Sequence, residues 1–236
     1  MICLNDAVIR NREDGRGCNM YNRVIKRMID IIIALIGFPF FSLIFLVIAP
    51  IIYFTDRGPV FYNAPRLGRD GRSFKMFKFR SMRVNAPDIR NADGSTYNGE
   101  DDPRVTRIGR FMRKTSLDEV PQLINILIGD MSLIGPRPDL LEDLYLYNDY
   151  QKKKLSVRPG ITGYNQAYHR NSIEQNEKFN NDAYYAEHIS FGLDVKIFFK
   201  TIQTVLSRES VYNDASAPDE ENQKELERLR AENQRS

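Results

Sequence analysis

The sequence predicts a mostly α-helical protein with a few short β-strands, an α+β arrangement in which a re-entrant membrane helix precedes a compact cytoplasmic domain. Three observations predict it. Residues 31–54 carry no charged side chain, are interrupted by Pro39, and have arginine and lysine on both flanks. Apolar residues recur at helical spacing in several later segments. Only SFKMFKFRSMR, residues 73–83, alternates clearly in the manner of a strand. The 236 residues suffice for one compact domain with appendages. They divide into a polar N-terminal extension (1–22), the membrane-anchoring helix (23–56), the main domain (57–210) and a charged C-terminal tail (211–236).

The uncharged stretch sets the location. Its roughly 24 residues make a helix of about 36 Å, enough to cross a hydrocarbon layer of ~30 Å. It is too long and begins too late for a signal peptide. Proline at position 39 removes a helix bond near the middle, so a kink or break is expected there. Arg23, Lys26 and Arg27 precede the stretch, and Arg57, Arg66, Arg69, Arg72 and Lys75 follow it. Cationic flanks prefer the cytoplasmic side. A helix that enters, bends and returns satisfies both flanks, and a through-span is the competing reading. With 34 basic and 31 acidic residues the net charge is only +3, which suits an anionic partner but points to no nucleic acid. Cys3 and Cys18 have no metal-ligand spacing and make no disulfide framework, so a reducing compartment is expected.

Beyond the anchor, Gly58-Pro59 starts a turn and Val60–Tyr62 reads as a short strand. Residues 66–72 form a turn-rich basic link. In 73–83, Phe77 and Phe79 share one face, which leaves Lys78 and Arg80 on the other, as a phosphate cradle, a solvated cationic face or a basic surface toward anionic lipid headgroups. Residues 84–103 are polar and read as a mobile surface loop, with Asp101 and Asp102 part of an acidic stretch rather than metal ligands. Helical spacing returns at 105–112, where Arg107, Arg110 and Arg113 recur every three residues.

Residues 140–154 are expected to form a helix, with Tyr145, Tyr147 and Tyr150 packing along it. The stiff loop 158–163, RPGITG, could bring backbone N–H groups and Arg158 against a diphosphate. Ser172 is the expected cap of a helix running to about His188, in which Asp182 orients a basic residue, contacts substrate or is simply a surface acid. His169 and His188 have no partner in sequence that suggests a catalytic dyad, so both read as structural. A further apolar-sided segment starts at Ser190, to pack on the domain or dip into the membrane interface. Residues 220–235 form a charged helix, too short for a confident coiled coil and a candidate contact for a homodimer.

The chemistry concentrates in residues 113–138, RKTSLDEVPQLINILIGDMSLIGPRP. Asp118 and Glu119 stand where a helix begins. Either Ser116 caps it, with Glu119 completing a capping box, or Asp118 is the cap and Pro121 falls in the first turn. Both placements put the acids at the positive end of a helix dipole. An ionised Asp beside Mg²⁺ and phosphate can act as a nucleophile; capping is the plainer role. Gly129 ends the helix, and Arg137 follows on a loop stiffened by Pro136 and Pro138. A guanidinium held so loses little entropy on gripping a phosphate.

Residues 116–138, with KFRSM at 78–82 and RPGITG at 158–163, resemble the signature of the bacterial sugar transferases, the small monotopic phosphoglycosyl transferases. The likeness covers roughly residues 21–210, and motifs so long and ordered are far more specific than one pair of acids. It implies that 57–210 is a catalytic phosphoglycosyl transferase domain, on the cytoplasmic face of the bacterial inner membrane, initiating membrane-bound glycoconjugate synthesis. The implied reaction moves a sugar 1-phosphate from a UDP-sugar to a polyprenol (undecaprenyl) phosphate and releases UMP. Asp118 would be the nucleophile and a Mg²⁺ contact, Glu119 its assistant, and Arg113 and Arg137 phosphate ligands. Lys78, Arg80, Arg158 and Asp182 are secondary substrate contacts. The likeness also implies a membrane helix broken at Pro39, although Phe38 stands where the family usually has Ser. A non-catalytic membrane-bound scaffold would account for the anchor and tail but not for the acid pair and the two stiff loops together.

Overall fold

The computed structural model describes residues 20–91, 97–99, 101–169, 173–207, 218 and 220–235. Cys3, Cys18, Ser172 and nearly all of the N-terminal extension lie outside the described residues. One helix dominates. After a wide π-helical turn at Tyr21–Ile25, helix α1 (Lys26–Asp56) runs 31 residues without interruption through Pro39 and Pro50, about 46 Å at 1.5 Å per residue. The helix is thus not interrupted at Pro39, where a kink or break was expected. Proline removes only the bond to the Leu35 carbonyl, and domain contacts hold the helix on both sides. Gly37 lies against Leu123, and Phe41 is buried one turn later. The helix ends at Arg57, in the left-handed region at φ 53°, with its N–H bonded to the Tyr53 carbonyl.

One stripe of α1 (Lys26, Asp30, Ala34, Phe41, Ile48, Ile52) is buried against the rest of the protein along the whole helix. The opposite side exposes Leu35, Phe40, Leu43, Leu46 and Phe54. Both ends are fixed by charge. Lys26 pairs with Asp194 at 2.5 Å, Asp30 accepts the Leu133 N–H at 3.0 Å, and Asp56 receives the Arg80 guanidinium.

Strands β1 (Ala64–Leu67) and β2 (Ser73–Met76) form an antiparallel hairpin. Pairing continues loosely beyond it through Phe61 and Phe79, the segment expected as a strand. Phe79 is fully buried, with Phe61 stacked on it at 5.6 Å and Phe41 and Phe45 of α1 next to it. Burying such aromatic side chains contributes about 1.5–3 kcal/mol each, so α1 is part of the domain core.

Helix α2 (Arg107–Thr115) is capped by Thr106, whose Oγ1 accepts the Gly109 N–H. A Cβ at Gly109 would lie 1.9 Å from the Ser81 carbonyl oxygen, so only glycine allows this approach. Helix α3 (Gln122–Ile128) ends at Gly129, φ 107°, as expected. Strands β3 (Ser132–Ile134) and β4 (Gly160–Thr162) pair in parallel. Helices α4 (Tyr164–Tyr168), α5 (Gln175–Glu187), α6 (Phe191–Ser207) and α7 (Glu220–Arg235) complete the chain.

Three expectations are corrected. Residues 140–154 contain no α-helix; they form 3₁₀ turns at Glu142–Tyr145 and Gln151–Ser156, tied down by Tyr147 and Lys154, which both bond Asp139. The described part of 84–103 is no free loop. Asp102 and Arg104 are buried as a pair, and Arg104 also donates to the carbonyls of Pro87 and Tyr97. The acid pair does not begin an α-helix: Ser116 closes α2 in the left-handed region at φ 56°, and Asp118 and Glu119 sit in a 3₁₀ turn, Leu117–Glu119, ahead of α3. Neither Ser116 nor Asp118 caps a helix end with its side chain.

Candidate active site

The acid pair is built by three segments distant in sequence. The tight turn at Leu117–Glu119 presents the two carboxylates, and the Phe79 N–H, bonded to the Asp118 carbonyl at 2.9 Å, locks the KFRSM segment beside it. Asn125 of α3, fully buried, clamps the same segment: its Oδ1 accepts the Phe77 N–H at 2.9 Å and its Nδ2 donates to the Lys75 carbonyl at 2.7 Å. The clamp aims Lys78 at the acids. Its Nζ lies 2.7 Å from Asp118 Oδ2 and 3.7 Å from Glu119 Oε1. The Asp118 side chain is 4% exposed and that of Lys78 is 21% exposed.

Arg137 approaches from the other side. Its Nη1 is 3.7 Å from Glu119 Oε1, and the side chain is otherwise open to solvent. Its loop is braced by the RPGITG loop: the Gly160 N–H donates to the Pro136 carbonyl and the Gly135 N–H to the Thr162 carbonyl, both at 2.9 Å. A Cβ on Gly160 would fall 2.1 Å from the Gly135 nitrogen. The glycines of RPGITG thus allow two loops to touch, and the Gly160 N–H is already taken.

The other residues singled out from sequence divide. Arg113 donates from Nε to Ser81 Oγ at 3.0 Å and from Nη1 to Asn98 Oδ1 at 2.9 Å, tying α2 to KFRSM. Arg80 does not share a phosphate-facing surface with Lys78. It is buried, pairs in bidentate fashion with Asp56 at 2.5 and 2.6 Å, and donates to the carbonyls of Pro59 and Met82. Arg158 donates from Nε to the Gly129 carbonyl at 2.9 Å.

Asp182 is buried at 2.7 Å from Lys154 and accepts from Asn165, so it orients a base inside the domain rather than meeting substrate. Burial pushes its carboxyl up to about 6, against the pull of Lys154. Burial also works against the charge on Lys154, but Asp139 and Asp182 outweigh it and hold the ammonium above its ordinary range. Because Asp139 follows the Arg137–Pro138 pair, this network anchors the loop that carries Arg137.

Arg66 was legible only as a flanking charge. It lies mid-strand in β1, whose Leu67 N–H bonds the Asp139 carbonyl at 2.9 Å, next to the Arg137 loop. Burial and then the Arg137 charge hold its guanidinium below the ordinary range. Two neighbouring guanidiniums, one of them partly desolvated, favour an anion between them.

Among the described residues no group of three or more His, Cys, Asp or Glu side chains could by itself hold a metal. Two adjacent carboxylates still fit Mg²⁺, which is commonly held by one or two carboxylates, with substrate phosphates and water supplying the rest. Asp118 and Glu119 are the two carboxylates that would supply such a donor set.

Three relatives share this chain's sequence at similar levels. The galactosyl transferase CpsE of Streptococcus agalactiae is 42% identical over 191 residues, covering 78% of this chain and 42% of its own. The undecaprenyl-phosphate galactose phosphotransferase of Salmonella typhimurium is 35% identical over 208 residues, 81% of this chain and 42% of its own. An uncharacterized sugar transferase of Bacillus subtilis, EpsL, is 39% identical over 188 residues, 80% of this chain and 90% of its own. The chain thus spans less than half the length of the first two. Residues 21–208, which include the acid pair, the KFRSM segment and both braced loops, match the bacterial sugar transferase family model, and the chain belongs to that family.

Proposed function

We propose that the protein is a phosphoglycosyl transferase that moves a sugar 1-phosphate from a UDP-sugar to undecaprenyl phosphate. The observation that carries the reading is the buried Asp118 carboxylate, held between a fixed backbone bond and the Lys78 ammonium, with Glu119 and Arg137 beside it. The names of the Streptococcus and Salmonella relatives support a sugar donor, and the Salmonella name supports the lipid acceptor.

In the reaction proposed, an Asp118 oxygen attacks the β-phosphorus of the UDP-sugar. A P–O bond forms to Asp118, and the P–O bond to UMP breaks, its electron pair leaving with UMP. The phosphate oxygen of the polyprenol phosphate then attacks the same phosphorus, and Asp118 leaves as a carboxylate. Lys78 orients Asp118 and balances its charge. Arg137, with Arg66 next to it, holds phosphate oxygens, and Arg113 sets the edge of the site through Ser81. Glu119 positions Lys78 and Arg137. Mg²⁺, held by Asp118 and Glu119, would supply charge neutralisation at the phosphates.

The membrane helix acts as an anchor on one side of the bilayer. The stripe of α1 that packs on the domain runs from Lys26 to Ile52, with the charged Lys26 and Asp30 buried at its start, and Asp56 just beyond its end pairs with Arg80. A helix standing across the membrane would draw Phe79, Arg80 and their neighbours into the hydrocarbon with it, at several kcal/mol per unsatisfied polar group. A re-entrant or interfacial placement leaves the acid pair at the headgroup level, where a lipid phosphate resides.

UMP release from a panel of UDP-sugars, with undecaprenyl phosphate and Mg²⁺, tests the reading. Release with one donor by the wild type and none by Asp118→Ala is the expected result. Equal release by both proteins would remove Asp118 from the chemistry.

A further inference from the structure

The base of the membrane helix is bonded to the strand that leads into Arg137. Asp194 of α6 is buried and receives donors from three other elements. They are Tyr21 Oη of the π-helical turn at 2.6 Å, Lys26 Nζ of α1 at 2.5 Å and Tyr185 Oη of α5 at 2.6 Å. The Tyr185 hydroxyl also lies 3.2 Å from the Ile134 carbonyl oxygen, so its one proton is shared between Asp194 and β3. One turn along α1 from Lys26, the buried Asp30 accepts the Leu133 N–H at 3.0 Å. Both contacts fall on β3, and Gly135-Pro136-Arg137 follows it directly.

Charge balance and the need of a buried carboxylate for hydrogen bonds account for the donors around Asp194. They do not account for where the network ends, on the two residues of β3 nearest the Arg137 loop. Pro136 and Pro138 stiffen that loop, so a displacement of β3 passes on to the guanidinium instead of being absorbed. The far end of α1 is tied in a similar way, through Asp56 to Arg80, two residues from Lys78. The anchor thus frames the segments of both cations that face the acid pair.

We infer that Asp194 is a positioning residue for Arg137: acting through Tyr185 and Lys26, with Asp30 beside them, it fixes the phosphate-gripping guanidinium relative to the base of the membrane helix. The inference rests on Arg137 as a phosphate ligand, as proposed above. A donor arriving from solution and a lipid phosphate at headgroup level then meet one guanidinium, at a height set by the anchor.

The test uses full-length protein in detergent and reads the Kd of UDP with Mg²⁺ by calorimetry, without turnover. Asp194→Asn keeps the shape and removes the charge; Tyr185→Phe removes only the hydroxyl that links Asp194 to β3. Each is expected to weaken UDP about tenfold, and neither to weaken it further in an Arg137→Ala background. Amide exchange over residues 135–139, read without ligand, is expected to speed up in both variants, while that over residues 117–120 does not.

A merely structural role for Asp194 gives equal losses in both backgrounds, and that result overturns the inference, as does unchanged exchange over 135–139. If Asp194→Asn does not fold, Tyr185→Phe decides alone. UDP that fails to bind the wild type overturns Arg137 as a phosphate ligand and this inference with it. UDP bound with the expected coupling, but no UMP release from any donor, counts against the transferase reading alone.

Discussion

Replacing Arg80 with alanine separates a structural arginine from a substrate-binding one. Its guanidinium is almost fully buried, its bidentate pair with Asp56 spans 24 residues, and it also holds two carbonyls. Breaking a fully buried pair costs about 3–5 kcal/mol, because the remaining charge has no partner. The Asp56 side chain is 22% exposed and can recover some hydration, which lowers the expected loss to about 2–3 kcal/mol. For a domain of this size that is roughly 5–10 °C in unfolding temperature.

The assay is thermal unfolding in detergent, with UMP release per folded molecule measured well below the transition. Arg80→Ala is expected to unfold early yet keep its KM for the donor. Arg137→Ala, whose side chain is largely exposed, is expected to unfold normally and raise KM. An Arg80→Ala protein as stable as the wild type, with a KM raised like that of Arg137→Ala, would refute the placement of Arg80 in the fold rather than the site.

Further outcomes follow from the same geometry. Gly160→Ala forces a methyl to within 2.1 Å of the Gly135 nitrogen; it should lose about 3 kcal/mol or more and misplace Arg137, read as a lower unfolding temperature together with a raised KM. Arg66→Gln relieves repulsion with Arg137, so stability should hold while KM for the donor rises about tenfold, roughly 1.4 kcal/mol of binding. The raised Asp182 carboxyl means the folded protein binds a proton there between about pH 4 and its value of about 6. That group's contribution to stability is therefore present at low pH and falls as pH rises through this window, by about 2–3 kcal/mol. Asp182→Asn should remove this slope from denaturation curves collected between pH 4 and pH 7.

Features governed by neighbours in sequence were legible in advance. Gly129 ends α3 because a residue at φ 107° must be glycine, and that rule operates within one turn. The charged helix Glu220–Arg235 and the helical reading around Ile108 and Met112 rest on the same local periodicity. The acid pair and Arg137 were visible as a motif, but the cation over Asp118 was only a second-rank candidate. Lys78 reaches it because Asn125, 47 positions away, clamps its strand, and spacing does not encode that bond. Arg80 looked like a free charge until Asp56 was placed against it, and of the roles open to Asp182 only the placing of Lys154 selects that of orienting a basic residue. Residues 140–154 failed as a helix because side-chain bonds to Asp139 compete with the backbone ladder and hold the segment in 3₁₀ turns.

The central claim is that Asp118 carries the sugar phosphate between two substrates, and single turnover without the lipid acceptor tests it most directly. The protein is mixed with donor UDP-sugar and no polyprenol phosphate; UMP is quantified and the intact chain is weighed. The account predicts one equivalent of UMP per active site and a mass gain of one phosphosugar on the peptide containing Asp118, both absent in Asp118→Ala. UMP released only once polyprenol phosphate is added, with no mass gain on the protein, would contradict it.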